Sequence, residues 1–91
     1  MQVEWTKKAL RDYKSVKSNK RIINKIHQLL ESIEDKYDYG IGKPERLKWY
    51  QERLLYSRRI DEKNRIVYEV FLDSNEVYCV RIVILQIIGH Y

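Results

Sequence analysis

Cysteine is nearly missing from this 91-residue chain. Cys79 stands alone, which excludes an internal disulfide and any zinc site built on cysteine pairs, and its apolar surroundings read as a core thiol. The two histidines, His27 and His90, are far apart and lack ligand spacing, so neither a metal nor another cofactor is expected. No long hydrophobic run exists either: the longest apolar stretch, Val77 to Ile88, is interrupted by Arg81 and Gln86 and is too short to span a bilayer. The start, Met1 to Trp5, lacks the basic residues and apolar run of a signal peptide. A cytoplasmic protein without membrane contact is the expectation. Repeats and low-complexity segments are absent as well.

What is present fits one domain over residues 1–91, with a 44% hydrophobic fraction and room for a single modest core. Charge is abundant and uneven. Residues 1–30 carry eight Lys/Arg against two Asp/Glu, 31–45 two against five, 46–66 seven against three, and 67–91 one against three, within a net charge of +5. Two basic segments around an acidic one favour a polyanionic partner, nucleic acid first, although Lys and Arg over residues 7–25 also suit a solvated helical surface.

The clearest structural signal lies in two runs rich in Tyr, Val, Ile and Phe, Arg53 to Ile60 and Arg65 to Leu72, joined by the polar turn Asp61 to Asn64. They predict a β-hairpin. Alternation puts Leu54, Tyr56, Arg58 and Ile60 on one face and Arg53, Leu55, Ser57 and Arg59 on the other, so that arginines stand among apolar neighbours on a rigid platform suited to phosphate. Before the hairpin, Gln2 to Thr6 reads as a strand, with Thr6 capping a helix over residues 7–17 whose Ala9, Leu10, Tyr13 and Val16 face the core. Asn19 caps a second helix with an apolar stripe of Ile22, Ile26, Leu29, Leu30, Ile33 and Tyr37. After the hairpin, Asp73 to Glu76 turns the chain into a last strand, Val77 to Ile88, long enough to require a bend or an overhang. The order β-α-α-β-β-β predicts an α+β fold with both helices on one face of a mainly antiparallel four-stranded sheet.

The loop from Gly40 to Tyr50 holds two of the three glycines and the only proline. Within it Lys43, Glu45, Arg46, Lys48, Trp49 and Tyr50 mix charge with aromatic rings, the combination in which cations meet phosphates and rings stack on single-stranded bases. Trp49 and Tyr50 could equally pin the loop to the core.

Gly42-Lys-Pro-Glu-Arg-Leu-Lys48, Ser57-Arg-Arg-Ile60, Asn64-Arg-Ile-Val-Tyr68 and Gly89-His-Tyr91 occur in an order that resembles the YoeB (Txe) toxins of the RelE superfamily, the messenger-RNA-cleaving halves of bacterial toxin-antitoxin pairs. The likeness runs almost end to end, and includes Trp5 and Lys20-Arg-Ile22. It departs in the segment Trp49 to Arg53, which lacks a glycine found in many relatives, and in a longer last strand. The resemblance implies a RelE-like fold, ribosome-dependent cleavage of messenger RNA in the ribosomal A site, a cognate antitoxin partner and a possible homodimer. Position by position it implies Glu45 as general base, Arg65 as phosphate-binding arginine, His90 as general acid and Tyr91 as terminal aromatic. Lys48 and Arg59 match supporting cations; Lys43, Arg46, Trp49 and Arg58 complete the expected RNA-binding set.

The residues themselves supply the chemistry that such cleavage needs. Without a metal, the 2′-hydroxyl must lose a proton, the phosphorane must be stabilised, and the departing 5′-oxygen must gain a proton. One carboxylate, several arginines and one imidazole meet that list, giving a 2′,3′-cyclic phosphate and a 5′-hydroxyl. Two other classes stay open: a non-catalytic inhibitor of translation or of a topoisomerase, as in the ParE relatives of the same fold, and a plain RNA-binding module.

Overall fold

Thr6 and Asn19 start the two helices as their side chains allow. In the computed structural model, which describes residues 1–48 and 52–89, the Thr6 hydroxyl accepts from the Ala9 amide at 3.1 Å and the Asn19 Oδ1 from the Ile22 amide at 3.2 Å. Each bond satisfies one of the orphan donors at a helix N-terminus. The first strand β1 (Gln2–Trp5) precedes α1 (Lys7–Ser15) and α2 (Lys20–Asp35); β2 (Glu45–Arg46), β3 (Leu54–Arg59), β4 (Arg65–Leu72) and β5 (Cys79–Gln86) follow. No helix among the described residues is long and apolar enough to cross a membrane.

The architecture is α+β as expected, with five strands among the described residues rather than four, in the order β1-β5-β4-β3-β2. The additional strand is the two-residue β2, which pairs antiparallel with β3 and is too short and too charged to announce itself in the sequence. β1 runs parallel to β5 and all other pairs are antiparallel. The hairpin forms as expected, its register putting Tyr56 opposite Tyr68 and Arg59 opposite Arg65, and its turn is held by the Asp61 carboxylate accepting from the Lys63 and Asn64 amides, both at 2.8 Å.

The last strand is shorter than the apolar run. Asp73 Oδ1 accepts from the Val77 and Tyr78 amides at 2.8 and 3.0 Å and leaves these two side chains exposed, so β5 begins at Cys79, itself half-buried. At the other end residues 87–88 bend off the sheet toward α1.

The main core lies between the helices and one sheet face, where Ala9, Ile26, Leu29 and Ile33 meet Ile66, Tyr68, Val70, Ile82 and Ile84. Burying one such aliphatic side chain contributes about 1.5–3 kcal/mol, and this layer dominates the stability of the domain. Leu10, expected to face the core, is 45% exposed instead. A smaller cluster of Leu47, Leu55, Val67 and Leu85 occupies the sheet face turned away from the helices.

Candidate active site on the face away from the helices

Strand pairing gathers the charged residues of that second face. Glu45 lies opposite Ser57, Ser57 opposite Val67, and Arg59 opposite Arg65, so Glu45, Ser57, Arg59 and Arg65 share one side of the sheet. The Glu45 carboxylate approaches the Arg65 guanidinium at 3.7 Å, and Arg65 also donates to the buried Ser57 hydroxyl at 3.4 Å. Glu45 keeps 61% of its side chain exposed and Arg65 24%, which leaves the carboxylate open to solvent beside a guanidinium half fixed by the sheet. Arg59 is exposed next to Arg65. Like charges directly opposite each other destabilise a sheet, so this arrangement suits an arriving anion better than it suits the fold.

Glu45 reaches this position because the loop before it is bolted down. Arg59 donates its amide to the Gly42 carbonyl at 2.6 Å. Gly42 has φ +81°, and an added Cβ would lie 2.5 Å from Leu29 Cδ2, so both conformation and space demand glycine. The rest of the loop is held by Arg58. Its guanidinium donates to Ser32 Oγ at 2.6 Å, to the carbonyls of Lys36, Tyr39 and Ile41 at 2.6, 2.9 and 3.1 Å, and to the Tyr68 hydroxyl at 3.0 Å. The Lys36 and Ser32 contacts cap the C-terminal end of α2, where a cation is favoured.

Arg58 therefore requires a correction. Expected among the RNA-binding cations, it is 0% exposed, with its donors directed at the protein's own carbonyls and hydroxyls. The alternation of β3 had already put it on the side of Leu54, Tyr56 and Ile60, which is the side the helices cover. Arg46 is also carried away from Glu45: it pairs with Tyr56 on the helix side and lies near Tyr37. Lys43, with φ +50°, and Lys48 are both exposed. Trp49, His90 and Tyr91 lie outside the described residues.

The backbone leading to His90 is described up to Gly89, and it is tied to the same site. The Arg65 amide donates to the Gly89 carbonyl at 3.1 Å, the Gly89 amide to Asn64 Oδ1 at 3.1 Å, and Gln86 Nε2 to the Arg65 carbonyl at 3.4 Å. Gly89 is thus fastened to the first residues of β4, within one peptide unit of His90 in sequence. Ser57 and Asn64 open two of the motifs quoted from the sequence, but neither was given a role there. Their only signal was adjacency to Arg58 and Arg65.

Burial pushes the Tyr68 phenol up to about 12, opposed in part by the Arg58 guanidinium that donates to it. Tyr68 in turn donates to the Tyr37 carbonyl at 2.5 Å, so a neutral phenol links the buried arginine to the end of the loop. Among the described residues no three His, Cys, Asp or Glu side chains gather to hold a metal ion.

Comparison with known proteins places the geometry in context. Residues 5–91 match the model of the YoeB-like toxins of bacterial type II toxin-antitoxin systems. The Toxin YoeB of Escherichia coli strain K12 is 37% identical over 75 residues, covering 81% of this chain and 88% of that protein. A YoeB/ParE toxin from Agrobacterium tumefaciens superimposes with a TM-score of 0.84 at 30% identity over the whole of both chains. A YoeB dimer from Staphylococcus aureus gives 0.80 at 34% identity, covering 100% of this chain and 98% of that one. The same organism's YoeB-YefM toxin-antitoxin heterotetramer gives 0.75 at 35% identity with the same coverage.

Proposed function

The chain belongs to the YoeB-like toxins of bacterial type II toxin-antitoxin systems, and from that premise we propose that it is an endoribonuclease that cuts messenger RNA in the ribosomal A site. The observation that supports cleavage is the Glu45–Arg65 pair at 3.7 Å on the sheet face, with the backbone of Gly89 hydrogen-bonded to Arg65. The carboxylate and the guanidinium stand side by side, and the segment that leads to His90 is bonded to the backbone of the same arginine.

Glu45 removes the proton of the 2′-hydroxyl, and the resulting oxygen attacks the adjacent phosphorus. Arg65, joined by Arg59, offsets the charge added in the phosphorane. His90 protonates the departing 5′-oxygen as the phosphorus–oxygen bond breaks, leaving a 2′,3′-cyclic phosphate and a 5′-hydroxyl. Lys43 and Lys48 meet flanking phosphates, while Trp49 and Tyr91 position bases. Arg46 and Arg58 have no part in this contact.

The partner class follows from the relatives: a YoeB dimer and a YoeB-YefM complex are known from Staphylococcus aureus. This chain is accordingly a toxin neutralised by a cognate antitoxin, able to pair with a second copy and to act in the cytoplasm, where ribosomes are. An acidic antitoxin segment that orders on contact fits the basic face.

A translating extract with a defined message tests the activity. Discrete cuts bearing cyclic phosphate ends, lost in Glu45→Gln and in His90→Gln, are the expected result. Inhibition without cuts would replace cleavage by blockade, and unaffected translation would leave only RNA binding.

A further inference from the structure

The tail that carries His90 leaves the sheet at Gln86, and from there its backbone donors have no strand to pair with. Buried donors must still be satisfied, and Ile87 is 0% exposed. α1 and the β3–β4 turn satisfy them. Thr6 donates its amide to the Ile84 carbonyl at 3.0 Å and its hydroxyl to the Leu85 carbonyl at 3.1 Å, which ties the start of α1 to the end of β5. Two turns on, Asp12 Oδ2 accepts from the Ile87 and Ile88 amides at 3.1 and 3.3 Å, and from Lys8 Nζ at 2.9 Å. The next amide, Gly89, goes to Asn64 Oδ1 at 3.1 Å. Three consecutive amides are thus held by two side chains from different parts of the fold.

We propose that Asp12 and Asn64 are positioning residues of the cleavage reaction: together they clamp residues 87–89 and so fix where His90 delivers its proton. The inference rests on the nuclease reading given above. One carboxylate oxygen taking two adjacent amides sets both position and direction of the chain, which a single neutral acceptor would not. The lysine alongside keeps the carboxylate charged, and the Asp12 carboxyl is held below its ordinary value, because the Lys8 and the Ile87 and Ile88 hydrogen bonds together outweigh the desolvation that would raise it. In this role Asp12 and Asn64 act on the reaction through the tail rather than by meeting RNA themselves.

The test pairs amide exchange with cleavage of two substrates in purified ribosome complexes. In Asp12→Ala the amides of Ile87 and Ile88 should exchange faster while those of β4 stay protected, and in Asn64→Ala the amide of Gly89 should do the same. Cleavage should fall on the order of 10- to 100-fold, the scale of losing placement of a reacting group, with ribosome affinity unchanged. Asp12→Asn and Asn64→Asp, which keep an acceptor oxygen, should recover part of it. The decisive substrate carries sulfur in place of the scissile 5′-oxygen. A thiolate leaves without a proton, so both alanine variants should cut it at the wild-type rate, as His90→Gln should.

A loss of equal size on both substrates would make the clamp merely structural and overturn the proposal, as would full activity with freely exchanging tail amides. A wild-type protein that cuts neither substrate would sink the nuclease reading itself and the catalytic purpose of the clamp with it. Exchange alone would then still report whether the clamp exists.

Discussion

Arg59 and Arg65 face each other as cross-strand partners on β3 and β4, two like charges held side by side, with the Glu45 carboxylate 3.7 Å from the second. The pair weakens the sheet it stands on. Replacing Arg59 by Thr, a good strand former, should therefore raise stability by about 0.2–1 kcal/mol while lowering message cleavage. Thermal melts beside end-mapping in a translating extract check both directions. A variant that loses stability and keeps its activity would remove Arg59 from the site.

Arg58 makes the opposite trade. Converting it to Met removes the charged donor to the Tyr39 and Ile41 carbonyls, to Ser32 Oγ and to the buried Tyr68 hydroxyl, leaves the Lys36 carbonyl with the Tyr39 amide alone, and should cost about 3 kcal/mol or more, since one hydrogen bond to a charged group contributes about 1.5–3 kcal/mol. Lys, whose ammonium cannot spread over the same acceptors, should restore little. Urea midpoints measure the loss, and cleavage should decline with it because the loop that carries Glu45 loosens.

Gly42→Ala should act on the same loop from the other end. With φ at +81° the new side chain strains the backbone, and with Leu29 Cδ2 only 2.5 Å from the added Cβ either that methyl or the loop must give, at a cost of about 1–3 kcal/mol. Its activity at a temperature where the variant stays folded is expected below that of the parent, since the Gly42 carbonyl that receives the Arg59 amide moves as well.

Alkali should unfold the protein through Tyr68. Its folded value of about 12 lies above the ordinary 10, so the contribution is whole below pH 10 and drains away as pH rises to 12. Two units correspond to about 2–3 kcal/mol. Tyr37 and Tyr56, also raised by burial, add in the same sense. Denaturation midpoints across that range should drop steeply for the parent and less for Tyr68→Phe, and a flat parent profile would contradict the shift.

Much of this arrangement was readable in advance for local reasons. Thr6 and Asn19 cap helices because their oxygens reach the third amide onward, and the hairpin from residue 53 to 72 declares itself by β-branched and aromatic residues around an Asp-to-Asn turn. Membership of the family was legible in four short motifs. What misled was tertiary. Arg58 and Arg59 are identical letters one position apart, and only the side on which α2 packs decides that the first becomes a buried bolt and the second a surface cation. Val77 and Tyr78 look like strand residues until the Asp73 carboxylate takes their amides. Asp12, four residues after Lys8, reads as half of a surface ion pair; its grip on residues 87 and 88 spans 75 positions that no local pattern connects.

The parallel pairing of β1 with β5 joins residues 2–5 to residues 81–84, so two segments far apart in the sequence must meet before either side of that pairing is satisfied. A chain cut short before residue 81 therefore leaves residues 2–5 with no strand beside them, so that damage near one end of the sequence is felt at the other.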